Sequence, residues 1–368
     1  MRTVCFYSNA VDVHCQSMAW ALRKFGVTVN IVSLSDMPDY SKSSWSIGQS
    51  SWMDRNSDIF PEKADLLYLR RYWPTVAPDF AHPEDIDFIQ EGCDKYNTWL
   101  VEYYGSCGSN WVQTPQACRT ANNKLLQLRT AKQVGLSVPR TLVSNDYDEV
   151  RRFLESEGPF ITKPIVAKNW LVNETNTFPF TAKVDLDDIN EVAVSLAPMI
   201  YQTLVPKKLE HRIAVFGETI VSASLNSHRY RETETDWRTA VGRALDIQNS
   251  ELPEHLEHKL KSFMRILNLR TGVFDFIETP DGEFVFLEVN ESGQFLFIEG
   301  ENPNIQCLLH STKFFLNLLS MPFAGVDERS ISLQKFFDDH PPEIFTSDGI
   351  GIHKTRPYAN KMSSQAQR

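Results

Sequence analysis

One segment, residues 271–299, constrains the fold of this chain more than any other, and it reads TGVFDFIETPDGEFVFLEVNESGQFLFIE. It predicts a β-hairpin whose turn is Thr-Pro-Asp-Gly, because proline presets φ, aspartate bonds to its own backbone and glycine accepts a positive φ. The flanking runs are aromatic and β-branched, as strands prefer. This apolar hairpin carries three side chains with oxygen donors, Asp275, Glu288 and Asn290.

These three side chains predict a cation site. Side chains alternate along a strand, so Glu288 and Asn290 point to one face, and the turn brings Asp275 opposite residue 287 or 288. Two carboxylates that close repel each other, and one is expected to protonate unless a cation joins them. Hard oxygen donors with an amide suggest Mg²⁺ held beside phosphates. The alternative is an ordinary hairpin with solvated acids.

The composition is that of a soluble globular protein with room for two or three packed units in 368 residues. A net charge of −10 argues against a nucleic-acid partner. No apolar run approaches about 18 residues, and the first residues predict a strand rather than a signal peptide, so no membrane partner is expected. Six scattered cysteines without a C-x-x-C pair fit reduced thiols and a cytoplasmic location.

Residues 1–118 alternate strands and helices, which predicts a parallel α/β unit. Strands are predicted over 3–8, 27–34 and 64–72, and the helix after the first strand ends at Gly26. The polar, tryptophan-rich stretch 41–55 is expected to be a loop or flap. The stretch 99–115 contains two glycines and is expected to be a connection.

A central unit is predicted over 119–200. Asn122 and Asn123 are plausible caps for a helix that stops before Gly135. A short strand over 158–164 then places Lys163 at its end. Lys163 and Lys124, which starts the helix, lie outside any G-x-x-x-x-G-K-[ST] loop, so this is not a P-loop protein, and each lysine alone predicts only a surface charge.

A third unit is predicted over 201–325, beginning with a strand near Met199. It contains a hairpin around Gly217, an amphipathic helix over 253–267, the carboxylate hairpin, and a helix over 305–319. Residues 326–368 form an extension that is expected to be partly flexible.

The order of these elements resembles the ATP-grasp superfamily. A lysine at a helix start is followed by a strand reading ITKP, an apolar strand YQTLVP, an E-x-R hairpin and a carboxylate hairpin ending LEVN. The resemblance implies an α/β and α+β protein, an ATP-grasp fold with an N-terminal pre-ATP-grasp (Rossmann-like) α/β domain. In such enzymes two α+β halves clamp ATP. The cofactors implied are therefore ATP and Mg²⁺.

The resemblance also assigns tasks to the matching residues of this chain. Lys124 and Lys163 would hold phosphates; Gln202, Leu204 and Val205 would meet the adenine through backbone groups; Glu210 and Arg212 would lie near ribose and phosphates; Asp275, Glu288 and Asn290 would bind Mg²⁺.

A narrower resemblance is to the microviridin-type, or graspetide, macrocyclising ligases. It rests on LRRYWP at 69–74, the segment 121–146, DWR at 236–238 and LEVNESGQFLFIE at 287–299, and it runs with gaps from about residue 67 to 319. DWR alone is a weak string, whereas N-x-x-G-Q-[FW]-L-[FW]-x-E is specific. This family uses a ribosomal precursor peptide, with a leader and an acidic core, as its partner and tends to form homodimers.

The chain departs from its relatives at two places. The loop after Lys163 has no glycine, so close approach of backbone amides to phosphate is harder there, and Lys168 is a possible replacement charge. A loop that binds peptide, or merely packs, is an equal alternative. The usual Asn-Pro before the Gly-Gln element is Asn290-Glu291, which places an extra charge near the site.

The chemistry implied is carboxylate activation by phosphoryl transfer, followed by attack of a hydroxyl or amine. Arg212 and Arg238 offer planar forks for the transferring group and the oxyanion, and Asp236 is a candidate to orient Arg238 or accept a proton, or a turn residue. The peptide-binding candidates are Arg70, Arg71, Arg229 and Gln294. Only one of the consecutive Arg70 and Arg71 is expected to reach the site, because neighbouring side chains on a strand point opposite ways.

Three hypotheses follow. The first is a ligase that crosslinks a precursor peptide through Asp or Glu to Ser or Thr (ester) or Lys (amide). The second is an ATP-grasp ligase that adds a free amino acid to a peptide or small acid. The third is a nucleotide-binding regulator without catalysis, against which the intact acids, arginine and lysines argue. Ester and amide formation are not distinguished, since both nucleophiles use the same activated carboxylate.

Overall fold

The fold is taken from a computed structural model of the chain. It describes residues 1–9, 12–33, 41–47, 49–54, 57–59, 64–71, 75–108, 110–166, 170–172, 175–177, 181–227 and 246–340. Three predicted site residues, Arg229, Asp236 and Arg238, lie outside the described residues, as does most of the predicted C-terminal extension.

The described part of the chain is built of short strands and helices in alternation. The strands are β1 Thr3–Ser8, β2 Thr28–Ser33, β3 Ser41–Ser46, β4 Gln49–Asp54, β5 Ser57–Ile59, β6 Leu66–Leu69, β7 Thr141–Ser144, β8 Phe160–Pro164, β9 Trp170–Val172, β10 Thr175–Thr177, β11 Ala182–Val184, β12 Met199–Thr203, β13 Leu209–Phe216, β14 Thr219–Leu225, β15 Ile247–Asn249, β16 Thr271–Glu278 and β17 Phe284–Asn290. The α-helices are α1 Val13–Arg23, α2 Ile86–Ser106, α3 Pro115–Asn122, α4 Lys124–Gln133, α5 Tyr147–Leu154, α6 Glu191–Leu196, α7 Glu254–Ile266, α8 Leu296–Glu301, α9 Cys307–Leu318 and α10 Leu333–Asp339.

The N-terminal sheet has the order β2-β1-β6 and is parallel throughout, as the sequence predicts. Helix α1 crosses from β1 to β2. Asp12 caps its N-terminus by accepting from the His14 and Cys15 amides, and Gly26, with φ of 74°, follows its end. The first residues of α1 therefore sit at the carboxyl end of β1, where parallel sheets place their functional groups.

Two predictions for this unit are wrong. The stretch expected to be a loop or flap forms β3 and β4, which pair with each other and with β5. Hydrogen bonds between strands satisfy the backbone, so a polar strand needs no buried face. The stretch 99–115, expected to be a connection, is helical over residues 99–106, which end α2 and bury Leu100, Val101 and Tyr104 at helical spacing; only the residues after Ser106 connect α2 to α3. Gly105 lies in its last turn.

The central sheet has the order β11-β8-β12-β7 and is antiparallel. Helices α5 and α6 pack on it around Val150, Leu154 and Phe160. Strand β12 lies between β8 and β7, so the predicted boundary at residue 200 falls inside this strand. The sheet runs to Thr203, because β12 buries its side chains in the central core and not in the next one.

The C-terminal sheet has the order β15-β14-β13-β16-β17 and is antiparallel. The predicted hairpin around Gly217 is β13–β14, and the predicted helices are α7 and α9. One face of the sheet packs against α7 around Leu260 and Phe263. The other face shares a core with α9 and with α1 of the N-terminal unit. The carboxylate hairpin is thus held between two cores at one edge of this sheet.

No helix in the described part of the chain combines the length and apolar character needed to cross a lipid bilayer.

Candidate functional site

The site is built on the β16–β17 hairpin, where Asp275 pairs directly with Glu288. The prediction that Asp275 lies opposite residue 287 or 288 is therefore confirmed. The turn closes through hydrogen bonds between Thr279 and Glu283, and Gly282 adopts a φ of 81°. Directly paired residues share a face of the sheet, so both acids and Asn290 project to the same side.

Arg212 neutralises the first of these acids. It lies on β13 directly opposite Asp275, and its Nη1 is 2.6 Å and 2.7 Å from the two carboxylate oxygens of Asp275. Its Nε and Nη2 donate to the main-chain carbonyl of Gln294, at 3.3 Å and 2.9 Å. The guanidinium is held on two sides, and only 9% of its side chain is exposed. Such a fork is pre-organised for a planar anion.

Lys124 neutralises the second acid. Its Nζ lies 2.8 Å from Oε2 of Glu288, and the amide nitrogen of Asn290 lies 3.0 Å from the other oxygen. Burial opposes ionisation of Glu288, but the charges of Lys124 and Lys163 outweigh it and lower its pKa to about 2. The predicted phosphate lysines and the predicted metal ligand therefore meet in one place, from three separate elements.

The position of Lys124 is set by the start of α4 and by a glutamine one turn later. Asn123 caps the helix by accepting from the Leu125 and Leu126 amides, as predicted. Gln127 then bonds both main-chain groups of Val289, with Nε2 donating at 2.8 Å and Oε1 accepting at 3.0 Å. This buried amide fixes α4 against β17. Its helical spacing from Lys124 is the only sign of it in the sequence.

The residues expected near adenine and ribose lie in β12, in the connection that follows it, and in the first part of β13. Gln202 is buried, and its side chain donates to the Thr141 hydroxyl at 2.9 Å. The Leu204 amide donates to the Pro159 carbonyl, so this N–H serves the central unit. Glu210 forms a buried pair with Lys207 at 2.7 Å, and burial raises its pKa despite that lysine.

Of the consecutive arginines, Arg70 does not face a substrate. Its side chain is 1% exposed and donates to the main-chain carbonyls of Ser292 and Gly293. The prediction that it binds substrate is therefore corrected: it joins the N-terminal unit to the segment after β17. Arg71 is only partly buried, and burial together with Arg70 lowers its pKa to about 10. The charge of Arg212 contributes to the same lowering of the pKa, so the Arg71 side chain lies within reach of the Arg212 charge.

The segment from the end of β17 to the first residue of α8, residues 291–296, is called loop 291–296 below. His14 accepts two of its amides on Nε2, from Phe295 at 3.1 Å and from Leu296 at 3.3 Å. Between these contacts and those of Arg70 lies Gln294, whose carbonyl accepts from Arg212. Sequence analysis gave no role to His14; its only signal is the position just inside the first helix, after the Asp12 cap.

The two further acids of this motif have structural tasks. The side chain of Glu291, the extra acid, accepts a hydrogen bond from Asn122, whose Nδ2 lies 3.0 Å from Oε1. Gln113 donates to the main-chain carbonyl of Glu291. Glu299 is 3% exposed, accepts from the Leu308 and Leu333 amides, and has a pKa raised by burial. It therefore joins α8 to α9 and α10.

The donor set fits a magnesium ion that is completed by phosphate oxygens. Within the described residues there is no cluster of three or more His, Cys, Asp or Glu side chains that would hold a metal alone. Two carboxylates and an amide converge instead: Asn290 Nδ2 donates to Asp275 at 3.4 Å and to Glu288 at 3.0 Å, and its Oδ1 would take the place of Nδ2 to meet a cation. Magnesium in nucleotide sites uses one or two carboxylates together with phosphates.

Within the glycine-free stretch after Lys163, β9 pairs antiparallel with β10. Lys168 lies outside the described residues.

Comparisons with known proteins agree with this architecture. No protein-family model matches the chain. Two curated glutathione synthetases match parts of it: that of Nostoc sp. is 27% identical over 117 residues, and that of Pseudomonas syringae pv. tomato is 37% identical over 83 residues. The matches cover 31% and 23% of this chain, and the chain spans only 34% and 23% of those relatives.

The structural matches are longer. A RiPP-associated ATP-grasp ligase from Chryseobacterium gregarium, in complex with ADP and a leader and core peptide, aligns with a TM-score of 0.74 at 20% identity, covering 88% of this chain and 98% of that one. The macrocyclase MdnC of Microcystis aeruginosa, bound with precursor peptide MdnA, gives 0.73 at 24%, with 86% and 99% covered. The ATP-grasp ligase PsnB, with a precursor variant, Mg and ADP, gives 0.67 at 20%, with 87% and 99% covered.

The chain therefore has the ATP-grasp fold. Within that fold, the three structures named above are ligases and a macrocyclase in complex with precursor peptides, and the chain covers nearly the whole length of each.

Proposed function

We propose that this protein is an ATP-dependent carboxylate ligase of the graspetide type. It would activate Asp or Glu side chains of a ribosomal precursor peptide and join them to Ser or Thr hydroxyls, or to Lys amines, within the same peptide. The observation that carries the proposal is the meeting of Arg212, Lys124 and Lys163 with the paired acids of the β16–β17 hairpin. The near-complete structural overlap with peptide ligases supports the choice of substrate.

The site residues fit ATP with Mg²⁺, which supplies the phosphoryl group that turns a carboxylate into a reactive acyl phosphate. Asp275, Glu288 and Asn290 would hold the metal, since they offer hard oxygens on one face. Lys124 and Lys163 would hold phosphates. Lys124 pairs with Glu288 and the charge of Lys163 acts on the same carboxylate, so positive charge already lies beside the proposed metal ligands, where phosphates would bind.

The protein's part in the reaction is to orient groups and to balance charge. Arg212 presents a fixed guanidinium beside the metal ligands and would stabilise charge that develops on the transferring group. Arg71 lies close enough to Arg212 for their charges to interact, and would draw an acidic peptide side chain towards the site. Leu204, Val205 and the Gln202 backbone would border the adenine, with Glu210 near the ribose.

The direct experiment incubates the protein with ATP, Mg²⁺ and the short peptide encoded beside its gene, and follows the peptide by mass spectrometry. We expect the loss of one water per crosslink with formation of ADP. Omitting Mg²⁺ or replacing Arg212 by methionine should abolish the mass change. A peptide that keeps its mass while the protein still binds ATP would contradict the proposal. Arg229, Asp236, Arg238 and Gln294 are proposed to contact the peptide or the reacting groups, and single alanine variants test each.

A second candidate function has support from the glutathione synthetase matches, which cover part of the chain. A ligase of that kind adds a free amino acid to an acid. The two functions give opposite mass changes, because amino-acid addition increases the mass of the product whereas cyclisation decreases it. The same assay, repeated with a mixture of amino acids, therefore separates them.

Homodimer formation and a cytoplasmic location complete the proposal. Sedimentation of the purified protein tests the first, and cell fractionation tests the second.

A further inference from the structure

Loop 291–296 is held in place by the N-terminal unit on both sides of Gln294. Arg70 binds the two carbonyls before Gln294, and His14 binds the two amides after it. All four contacts are made to main-chain atoms. The Gln294 carbonyl, between them, is the acceptor for two nitrogens of Arg212.

We propose that His14 is a positioning residue, which holds the Gln294 carbonyl in place against the Arg212 guanidinium. This rests on the proposed function only in that Arg212 is taken to act in catalysis. His14 lies too deep to touch a substrate, since its side chain is 1% exposed. It acts through the loop on a residue that faces the site.

The chemistry of His14 suits this task. An imidazole nitrogen that accepts two amides carries no proton, so the proton is on Nδ1, which lies 3.6 Å from the Asp12 carboxylate. Burial and the neighbouring Arg70 lower the pKa of His14 to about 4, so the ring stays neutral at physiological pH. Phe295 packs edge-on against the ring, with centroids 4.7 Å apart, which fixes its plane.

Asp12 completes the arrangement. It caps α1, faces His14 and lies 4.0 Å from Arg70 Nε. One carboxylate thus lies beside both residues that hold loop 291–296. Both partners of Arg212, the Asp275 carboxylate and the Gln294 carbonyl, belong to the C-terminal unit, but the loop that carries the carbonyl is held by Arg70 and His14 of the N-terminal unit. The Arg212 guanidinium is therefore correctly oriented only when the N-terminal and C-terminal units keep their relative position.

The test compares three variants on helix α1. His14→Leu removes the acceptor and keeps an apolar side chain, and we expect kcat to fall about 10- to 100-fold, as for a small misplacement of a reacting group. KM for ATP should change less than about twofold, because the phosphate lysines lie on other elements. His14→Gln offers an amide oxygen as acceptor and should restore most of kcat.

Trp20→Phe is the matched control. Trp20 lies on the same helix, six residues after His14, and also bonds a distant element, through Nε1 to Asp339 of α10 at 2.9 Å. It should lower the melting temperature without lowering kcat. Equal loss of kcat in His14→Leu and Trp20→Phe, or unchanged kcat in His14→Leu, would overturn the proposal.

A second measurement does not depend on activity. Amide hydrogen exchange of loop 291–296, followed by mass spectrometry without ATP or peptide, should be at least about tenfold faster in His14→Leu and unchanged in Trp20→Phe. Unchanged exchange in His14→Leu overturns the proposal. If the natural protein turns over no peptide, the ligase function fails and the exchange result alone decides the role of His14. If His14→Leu does not fold, His14→Asn takes its place in both measurements, because the asparagine side chain is one methylene shorter than that of glutamine.

Discussion

Lys124 and Glu288 form an ion pair of 2.8 Å between the first residue of α4 and the middle of β17, with about a quarter to a third of each side chain exposed. The pair brings together the two ends of a site that lie more than 160 residues apart in the chain. Because of this pair, the Glu288 carboxylate stays ionised well below its ordinary pKa of 4.5.

The first prediction concerns acid stability. Because the pKa of Glu288 falls from 4.5 to about 2 on folding, its charge stabilises the protein above pH 4.5, and this contribution is lost as the pH drops through about 2. Lys124→Met should raise this pKa towards its ordinary value, so stability should decline at a higher pH. Urea unfolding midpoints between pH 2 and 6 measure this. Lys132→Met, an exposed lysine of the same helix, is the control, and identical pH profiles for both variants would refute the prediction.

The second prediction concerns Asp275. Asp275→Asn removes one proposed metal ligand and leaves Arg212 without its counter-charge, so turnover should fall at least about 100-fold. The free energy of unfolding should fall by about 1.5–3 kcal/mol, the range for a hydrogen bond to a charged group. Asp281→Asn, in the exposed turn of the same hairpin, should leave both unchanged. Full activity in Asp275→Asn would remove this residue from the site.

The third prediction concerns close packing at the start of loop 291–296. A Cβ on Gly293 would lie 2.6 Å from the Cβ of Val273, a distance that forces the loop off strand β16. Gly293→Ala should therefore cost about 1–3 kcal/mol of stability and should reduce turnover as well. Gly92→Ala, inside helix α2 with open space around it, should instead stabilise by about 0.5–1 kcal/mol. Thermal and urea unfolding should therefore show a lower free energy of unfolding for Gly293→Ala and a higher one for Gly92→Ala than for the natural protein.

The fourth prediction concerns ligand binding. ATP with Mg²⁺ should raise the melting temperature, by an amount equivalent to about 2.7 kcal/mol at one hundred times Kd, and EDTA should abolish the increase. Lys163→Met should weaken it by removing a phosphate contact. Lys183→Met lies on the neighbouring strand β11 of the same sheet and should behave as the natural protein does. An equal effect of both variants would contradict a specific role for Lys163.

Much of the site follows from local patterns in the sequence. The hairpin register, the Asn123 cap and the positions of Lys124 and Lys163 depend on neighbouring residues, so turn and cap chemistry predict them. The pairing of Arg212 with Asp275 depends on which strands become neighbours, and only the resemblance to known ligases suggested that they lie near each other.

The contacts of Arg70 and His14, which the sequence did not predict, share one property: they join side chains to distant main-chain atoms. Arg70 contacts carbonyls 222 and 223 residues away, and His14 contacts amides 281 and 282 residues away. A carbonyl or amide has no residue type, so nothing in the composition of loop 291–296 signals its partner. Helix α2 was missed for another reason, since Gly105 in its last turn was interpreted as the mark of a connection.

Because His14 and Arg70 contact only the backbone of loop 291–296, these contacts do not depend on which side chains the loop carries. A partner that binds only main-chain atoms tolerates any residue whose backbone can follow the same path. Gln294 can therefore be exchanged while its carbonyl continues to orient Arg212. Under the proposed function, in which Gln294 contacts the peptide, the protein can change this side chain without rebuilding the reacting groups. Randomising position 294 alone is accordingly the most direct route to variants with new peptide preferences.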